Sequence, residues 1–208
     1  MPTVPVMDTP LTALMINCTL KPSPASSSTH VLGEQILAAL AEHGVAADRI
    51  RATDHRILPG VQADMGEGDE WPDLRARVMA ADIVVLATPT WMGQHSSIAQ
   101  RVLERLDAEL GATDESGRPT LFGKVAIAAI VGNEDGAHHI AAILFQALND
   151  VGFTVPAQGS VYWNGEAMQT VDYKDLDETP EKVAQATSTA AANAAHLARM
   201  LKEQPYSA

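Results

Sequence analysis

Six hydroxyl side chains, one lysine and two prolines crowd into fourteen residues, NCTLKPSPASSSTH at positions 17–30. An apolar run from Leu11 to Ile16 leads into this stretch, and a helix-like run from Val31 to Leu40 leads out. The N-terminus of a helix carries unpaired backbone N–H groups and the positive end of the aligned peptide dipoles, so an anion is stabilised there. Ser27, Ser28 and Thr29 stand where hydroxyls add donors around a phosphate, and Lys21 adds charge. A plainer reading of the same residues is a solvated loop in which Ser27 or Ser28 only caps the helix.

The elements that would position this loop decide between the two. Residues 12–17 suit a short buried strand, and residues 29–43 a helix with Val31, Leu32, Ile36, Leu37 and Leu40 at helical spacing and Gly44 as its stop. Residues 47–52 alternate as an edge strand does, and an acidic, glycine-containing loop follows at 54–71. Pro72 fits the first turn of a helix running to Ala81. Residues 82–88 (DIVVLAT) are the clearest strand, apolar on both faces, and residues 124–131 repeat that signal. An amphipathic helix is predicted at 97–110, another helix from Ala137 to Asp150, a weaker strand near 153–161 and a long Ala-rich helix from Glu181 to Lys202.

Alternating helices and continuous apolar strands predict an α/β chain with a parallel sheet covered on both faces. Ligands in such sheets bind beyond the carboxyl ends of the strands. Segments 17–30, 88–95 and 132–139 each follow a buried strand and therefore open on the same end of the sheet. That convergence favours the phosphate reading of the first loop.

Composition removes other classes. A net charge of −12 argues against nucleic acid and anionic membranes as partners. One cysteine, Cys18, excludes an intrachain disulfide framework and a cysteine-built metal cage. No signal-peptide pattern and no apolar run near the ~20 residues of a membrane helix is present, so a cytoplasmic location is expected. The chain of 208 residues reads as one domain, 12–204, after a flexible segment at 1–11. The first strand is not followed by G-x-G-x-x-G; GEGDEW at 66–71 has the wrong neighbours for it, and GRPTLFGKV at 117–125 fails as a Walker loop in spacing and final residue.

The ordered set CTLKPSPASSST (18–29), TPTWMGQ (88–94) and GNEDGAHH (132–139) resembles the flavodoxin-like fold, and within it the NADPH-dependent FMN reductases and related flavodoxin-family oxidoreductases. The resemblance implies a doubly wound five-stranded parallel sheet in the order 2-1-3-4-5. It implies FMN with its phosphate held by Thr19, Lys21, Ser27, Ser28 and Thr29, its ribityl chain and ring along Pro89, Thr90, Trp91, Met92 and Gly93, and the pyrimidine side bordered by Gly132, Asn133, Glu134 and Gly136. Many relatives carry arginine where Lys21 stands, and lysine offers a point charge in place of a bidentate fork.

The implied activity is electron transfer from NADPH or NADH through bound FMN to a small-molecule acceptor such as a flavin or quinone. The resemblance also implies a homodimer or homotetramer, for which the Ala-rich terminal helix and the 54–71 loop are the sequence support. The flavin carries the hydride chemistry, so no side chain is named as catalytic and no metal is expected. Two rivals remain: a flavodoxin-type carrier without enzymatic turnover, and the same fold without flavin. Trp91 lies near the flavin or packs on a neighbouring loop or subunit, and Tyr162–Trp163 after the fifth strand form a turn or a substrate-side wall. The 54–71 loop is long enough for a lid or a subunit contact. Adjacent His138 and His139 diverge on a helix and read as structural, and Cys18 reads as inert packing.

Overall fold

Unbroken apolar runs build the centre of the sheet because helices cover both of its faces. The computed structural model describes residues 10–168 and 171–207. Its strands are β1 (Leu11–Asn17), β2 (Val45–Arg51), β3 (Ile83–Trp91), β4 (Gln94–His95), β5 (Val125–Gly132) and β6 (Ser160–Asn164). Its helices are α1 (Ser28–Glu42), α2 (Trp71–Ala80), α3 (Ser97–Leu106), α4 (Ala137–Asp150) and α5 (Glu181–Glu203). The parallel strands lie in the order β2-β1-β3-β5-β6, and β4 pairs antiparallel with β3. The sheet thus has six strands, with the expected five parallel ones in the expected order.

Period-two alternation divides each central strand between two cores. Leu14, Ile16, Val84, Leu86, Ala126 and Ala128 pack with α2, α3 and α4. Ala13, Met15, Val85, Ala87, Ile127 and Ala129 pack with α1 and α5. The small side chains of α5 serve this second core: Ala190, Ala191, Ala194, Ala195 and Ala198 are all buried within the chain. The apolar face of the terminal helix is therefore consumed internally and lends no support to an oligomer.

The structure moves some boundaries. The last strand occupies 160–164, not 153–161, because a turn closed by Gly159 N donating to Pro156 O (3.0 Å) precedes it. Tyr162 and Trp163 are consequently strand residues that face opposite ways. β3 runs past the expected end at Thr88 through Pro89, Thr90 and Trp91, residues that the sequence places in a turn. Proline is tolerated there because pairing with β1 ends at Ala87, leaving one side of β3 open. α3 stops at Leu106 and tightens into a 3₁₀ turn at Asp107–Gly111. At the N-terminus Leu11 already belongs to β1, and residues 1–9 of the expected flexible segment lie outside the described residues.

The 54–71 segment is bolted to α3. Arg105, fully buried, pairs with Asp69 at 2.8 Å and donates to Gln62 O (2.7 Å) and Leu58 O (3.0 Å). Asp69 also accepts from the backbone N–H groups of Leu58, Met65 and Trp71. Burial alone would raise the Asp69 pKa; Arg105 and these amides instead hold it well below the usual carboxylate range. Among the described residues no helix is long and apolar enough to cross a membrane.

Candidate functional site

Three strand ends converge because the first and second segments are locked to each other. Cys18 N donates to Ala87 O (2.8 Å), and Ser96 Oγ donates to Cys18 O (2.7 Å). Ser96 Oγ also accepts from Ala99 N (3.1 Å) as the N-cap of α3, while Ser96 N donates to Thr88 Oγ1 (3.0 Å). From the other side, the end of β2 pins the first loop. Asp54 accepts from Ser23 N and Oγ (2.7 and 2.6 Å), Thr53 Oγ1 donates to Lys21 O (3.1 Å) and Arg51 Nη1 to Ala25 O (2.8 Å). The Ser23 hydroxyl, with smaller help from its amide, lowers the Asp54 pKa.

Beyond the carboxyl ends of β1, β3 and β5 lies a cleft of about 710 Å³, within the ~300–1,000 Å³ of small-molecule sites. Thr19, Lys21, Ser27, Ser28 and Thr29 line one end of it. Ser27 is the N-cap of α1, accepting from His30 N at 3.2 Å, and it lines the cleft as well, so the capping reading and the site reading both describe it. The N–H groups of Ser28 and Thr29, in the first turn, have no intrahelical acceptors. Lys21 has no ion-pair partner among the described residues.

Pro89, Thr90, Trp91 and Met92 line the middle, and Gly132, Asn133 and Glu134 the far side. Met92 (φ 53°) and Gly93 (φ 71°) form the two-residue turn between paired Trp91 and Gln94, the backbone of a type I′ hairpin. Gly93 and Gly136 do not line the cleft. Their backbones meet instead: a Cβ on Gly136 would lie 2.8 Å from Gly93 Cα, so these glycines permit a close approach between the two turns. A Cβ on Gly132 would come within 2.6 Å of Thr90 Cβ, which keeps this side chain and the third loop in contact.

Sequence reasoning missed the contribution of the β6–α5 connection. Ala167, Met168, Asp172 and Lys174 line the cleft, as does Trp163. Lys174 N donates to Ser28 Oγ (3.3 Å), and its ammonium pairs with Asp172 (3.2 Å) and Asp175. Asp172 accepts from Asn133 Nδ2 (3.0 Å), joining the third loop to this connection. Trp163 packs at a tilt of 50° against Tyr173, 5.4 Å between centroids, whereas Tyr162 turns away to His138, at 2.9 Å from its hydroxyl. No residue of the 54–71 loop lines the cleft. His139 meets Gln94, and no group of three His, Cys, Asp or Glu among the described residues could hold a metal. Burial pushes the Cys18 thiol far above its usual pKa, leaving it an inert neutral group.

The donor set fits a phosphorylated flavin. One end supplies helix N–H groups, hydroxyls and cations, and the mouth carries exposed Leu20, Trp91, Met92 and Met168, apolar surface suited to a flat ring. Thr90, 4% exposed, has a hydroxyl with no hydrogen-bond partner among the described residues. A buried polar atom of this kind is satisfied when a ligand with polar edges fills the cleft.

Comparison with known proteins agrees with this geometry. The family model for NADPH-dependent FMN reductase matches residues 12–167. The divalent metal cation transporter MntH of Mycobacterium bovis is 41% identical over 92% of this chain, but the chain spans only 29% of that relative's length. The 8-demethyl-8-aminoriboflavin-5′-phosphate synthase of Streptomyces davaonensis is 32% identical over 94% of this chain and 80% of its own. The crystal structure of RosB with the bound intermediate 8-demethyl-8-formylriboflavin-5′-phosphate superposes with a TM-score of 0.85 at 32% identity, covering 94% of this chain and 82% of that one. A flavodoxin from the Archaea shares the fold at a TM-score of 0.57 and 11% identity, over 91% of this chain and 99% of its own.

Proposed function

On the footing that the chain belongs to the NADPH-dependent FMN reductase family, and so to the flavin-dependent oxidoreductases, we propose that it carries electrons from NADPH or NADH through FMN in this cleft to a small acceptor. The observation that carries the proposal is the cleft itself, with anion donors at the α1 end and an apolar mouth at the other. Bound FMN supplies the hydride-accepting and electron-passing chemistry. The protein's part is binding and orientation. The Ser28 and Thr29 amides, with the Ser27 and Thr29 hydroxyls, hold the phosphate, and Lys21 and Lys174 balance its charge. Gly132 leaves room beside Thr90, whose hydroxyl fixes the ligand's polar edge. Exposed Trp91 and Met92 border the face left open to donor and acceptor.

A second reading is favoured by one observation: the TM-score of 0.85 to a structure holding a modified riboflavin phosphate. In it the flavin phosphate is the substrate and not a retained cofactor. Anaerobic addition of NADPH, then NADH, to the FMN-loaded protein separates these. Rapid loss of flavin absorbance supports the reductase, bound flavin without reduction supports a carrier, and a changed flavin mass after turnover supports the second reading.

A further inference from the structure

A second cavity, of about 730 Å³, opens beside the cleft on the β2 side of the first loop. The two share Ser26, Ser27 and Lys174, so they meet at the N-terminus of α1. Parallel register puts Met15 opposite Arg49 and Asn17 opposite Arg51, and all four line the cavity. Met15 and Val31 supply apolar surface, with Pro24 above. Arg49, Arg51, His30 and His55 supply donors.

The acidic neighbours are engaged. Glu34 pairs with Arg49 at 2.7 Å and lies 3.9 Å from His30, Asp54 is held by Ser23, and Asp175 by Lys174. Arg51 spends one nitrogen on Ala25 O and has no ion pair among the described residues. Asn17 is 1% exposed; its Oδ1 accepts from Thr19 N at 3.1 Å, while Nδ2 has no partner among the described residues. A buried unpaired amide costs stability unless something polar meets it.

We propose that this cavity binds the phosphorylated adenosine portion of a dinucleotide whose other half occupies the cleft. Apolar floor, cationic wall and unpaired amide together match a base, a phosphate and a ribose or ring acceptor, and inorganic phosphate would leave the floor unused. The position also has a physical logic. In α/β sheets that carry the glycine fingerprint absent from this chain, the end of β2 beside the phosphate loop meets the adenosine ribose, and an arginine there accepts a 2′-phosphate; Arg49 and Arg51 stand at the corresponding end of β2 here. The inference rests on the flavin reading for the content of the neighbouring cleft only.

The test is calorimetric titration of the full chain, alone and saturated with FMN, using adenosine 2′,5′-bisphosphate and AMP, alongside direct comparison of FAD with FMN. If the adenosine arrives with the electron donor, the bisphosphate binds the FMN-loaded protein, and FAD and FMN bind alike. If it arrives with the flavin, FAD binds more tightly than FMN. In either case Arg49→Gln weakens the adenosine contribution about tenfold or more, the worth of a hydrogen bond between charged groups. Val31→Phe, which fills the cavity with carbon, removes it in a protein shown folded by its thermal melt. No binding of either adenosine phosphate at millimolar concentration, with FAD no tighter than FMN, overturns the proposal. Failure of FMN itself to bind would overturn the flavin reading, while titration of the protein alone would still decide this one.

Discussion

Replacing Arg105 with methionine removes the cation paired with Asp69 and strips donors from Gln62 O and Leu58 O. Both charged side chains are fully buried, and breaking a buried pair from one side costs about 3–5 kcal/mol because the surviving charge has no compensation. For a chain of this size that corresponds to a melting temperature lower by roughly 6–20 °C, at about 2–4 °C per kcal/mol. Adding Asp69→Asn should recover part of the loss, since the stranded charge is then gone. The pH dependence has a fixed sign. The Asp69 carboxyl is held below its ordinary value, so its contribution is complete above its unfolded pKa of about 3.9 and is lost as pH falls through the folded value. Wild type should therefore lose stability below about pH 4 more steeply than Arg105→Met. Urea melts across pH measure this. A cost under about 1 kcal/mol, the worth of an exposed pair, would refute the reasoning. Weaker FMN binding by the folded variant would refute the separation of this loop from the cleft.

Other perturbations address the cleft directly. Ser27→Ala combined with Thr29→Ala should weaken FMN binding at least about tenfold, since each hydrogen bond to a charged group is worth about 1.5–3 kcal/mol, and should lower stability by about 1 kcal/mol through the lost cap; fluorescence titration and urea melts read the two effects. Gly132→Ala forces a methyl against Thr90, so it should cost about 1–3 kcal/mol of stability and reduce FMN affinity in the same titration. Lys174→Gln should weaken FMN binding and flatten its dependence on salt concentration, whereas an unchanged salt profile would remove Lys174 from the phosphate's surroundings. Met92→Gly relieves a positive φ at an exposed turn and should stabilise the fold by about 1 kcal/mol, visible as a higher urea midpoint.

The sequence made the frame of the fold legible because its central strands carry continuous apolar runs, which only a doubly covered sheet requires. The strand pairing order needed more than periodicity, and came from the resemblance carried by the three loops. The cup at 17–30 was readable since its parts are consecutive in the chain. Lys174 and Asp172 were not, because they reach the cleft by tertiary return more than 140 residues after Ser28, with no local pattern to mark them. Trp163 could be separated from Tyr162 only once the strand was placed at 160–164, for alternation sends the two rings to opposite faces. The 54–71 loop suggested a lid or a subunit contact from its length alone. Its real constraint, buried Arg105, lies on a helix whose amphipathic pattern gives no reason to expect an arginine inside.

A crystal structure of the full chain grown with FMN tests the central claim most directly. The phosphate should lie within hydrogen-bond reach of the Ser28 and Thr29 amides, and the ring between the Trp91–Met92 hairpin and Gly132–Asn133. Flavin bound elsewhere, or a phosphate lying away from the first turn of α1, would contradict it.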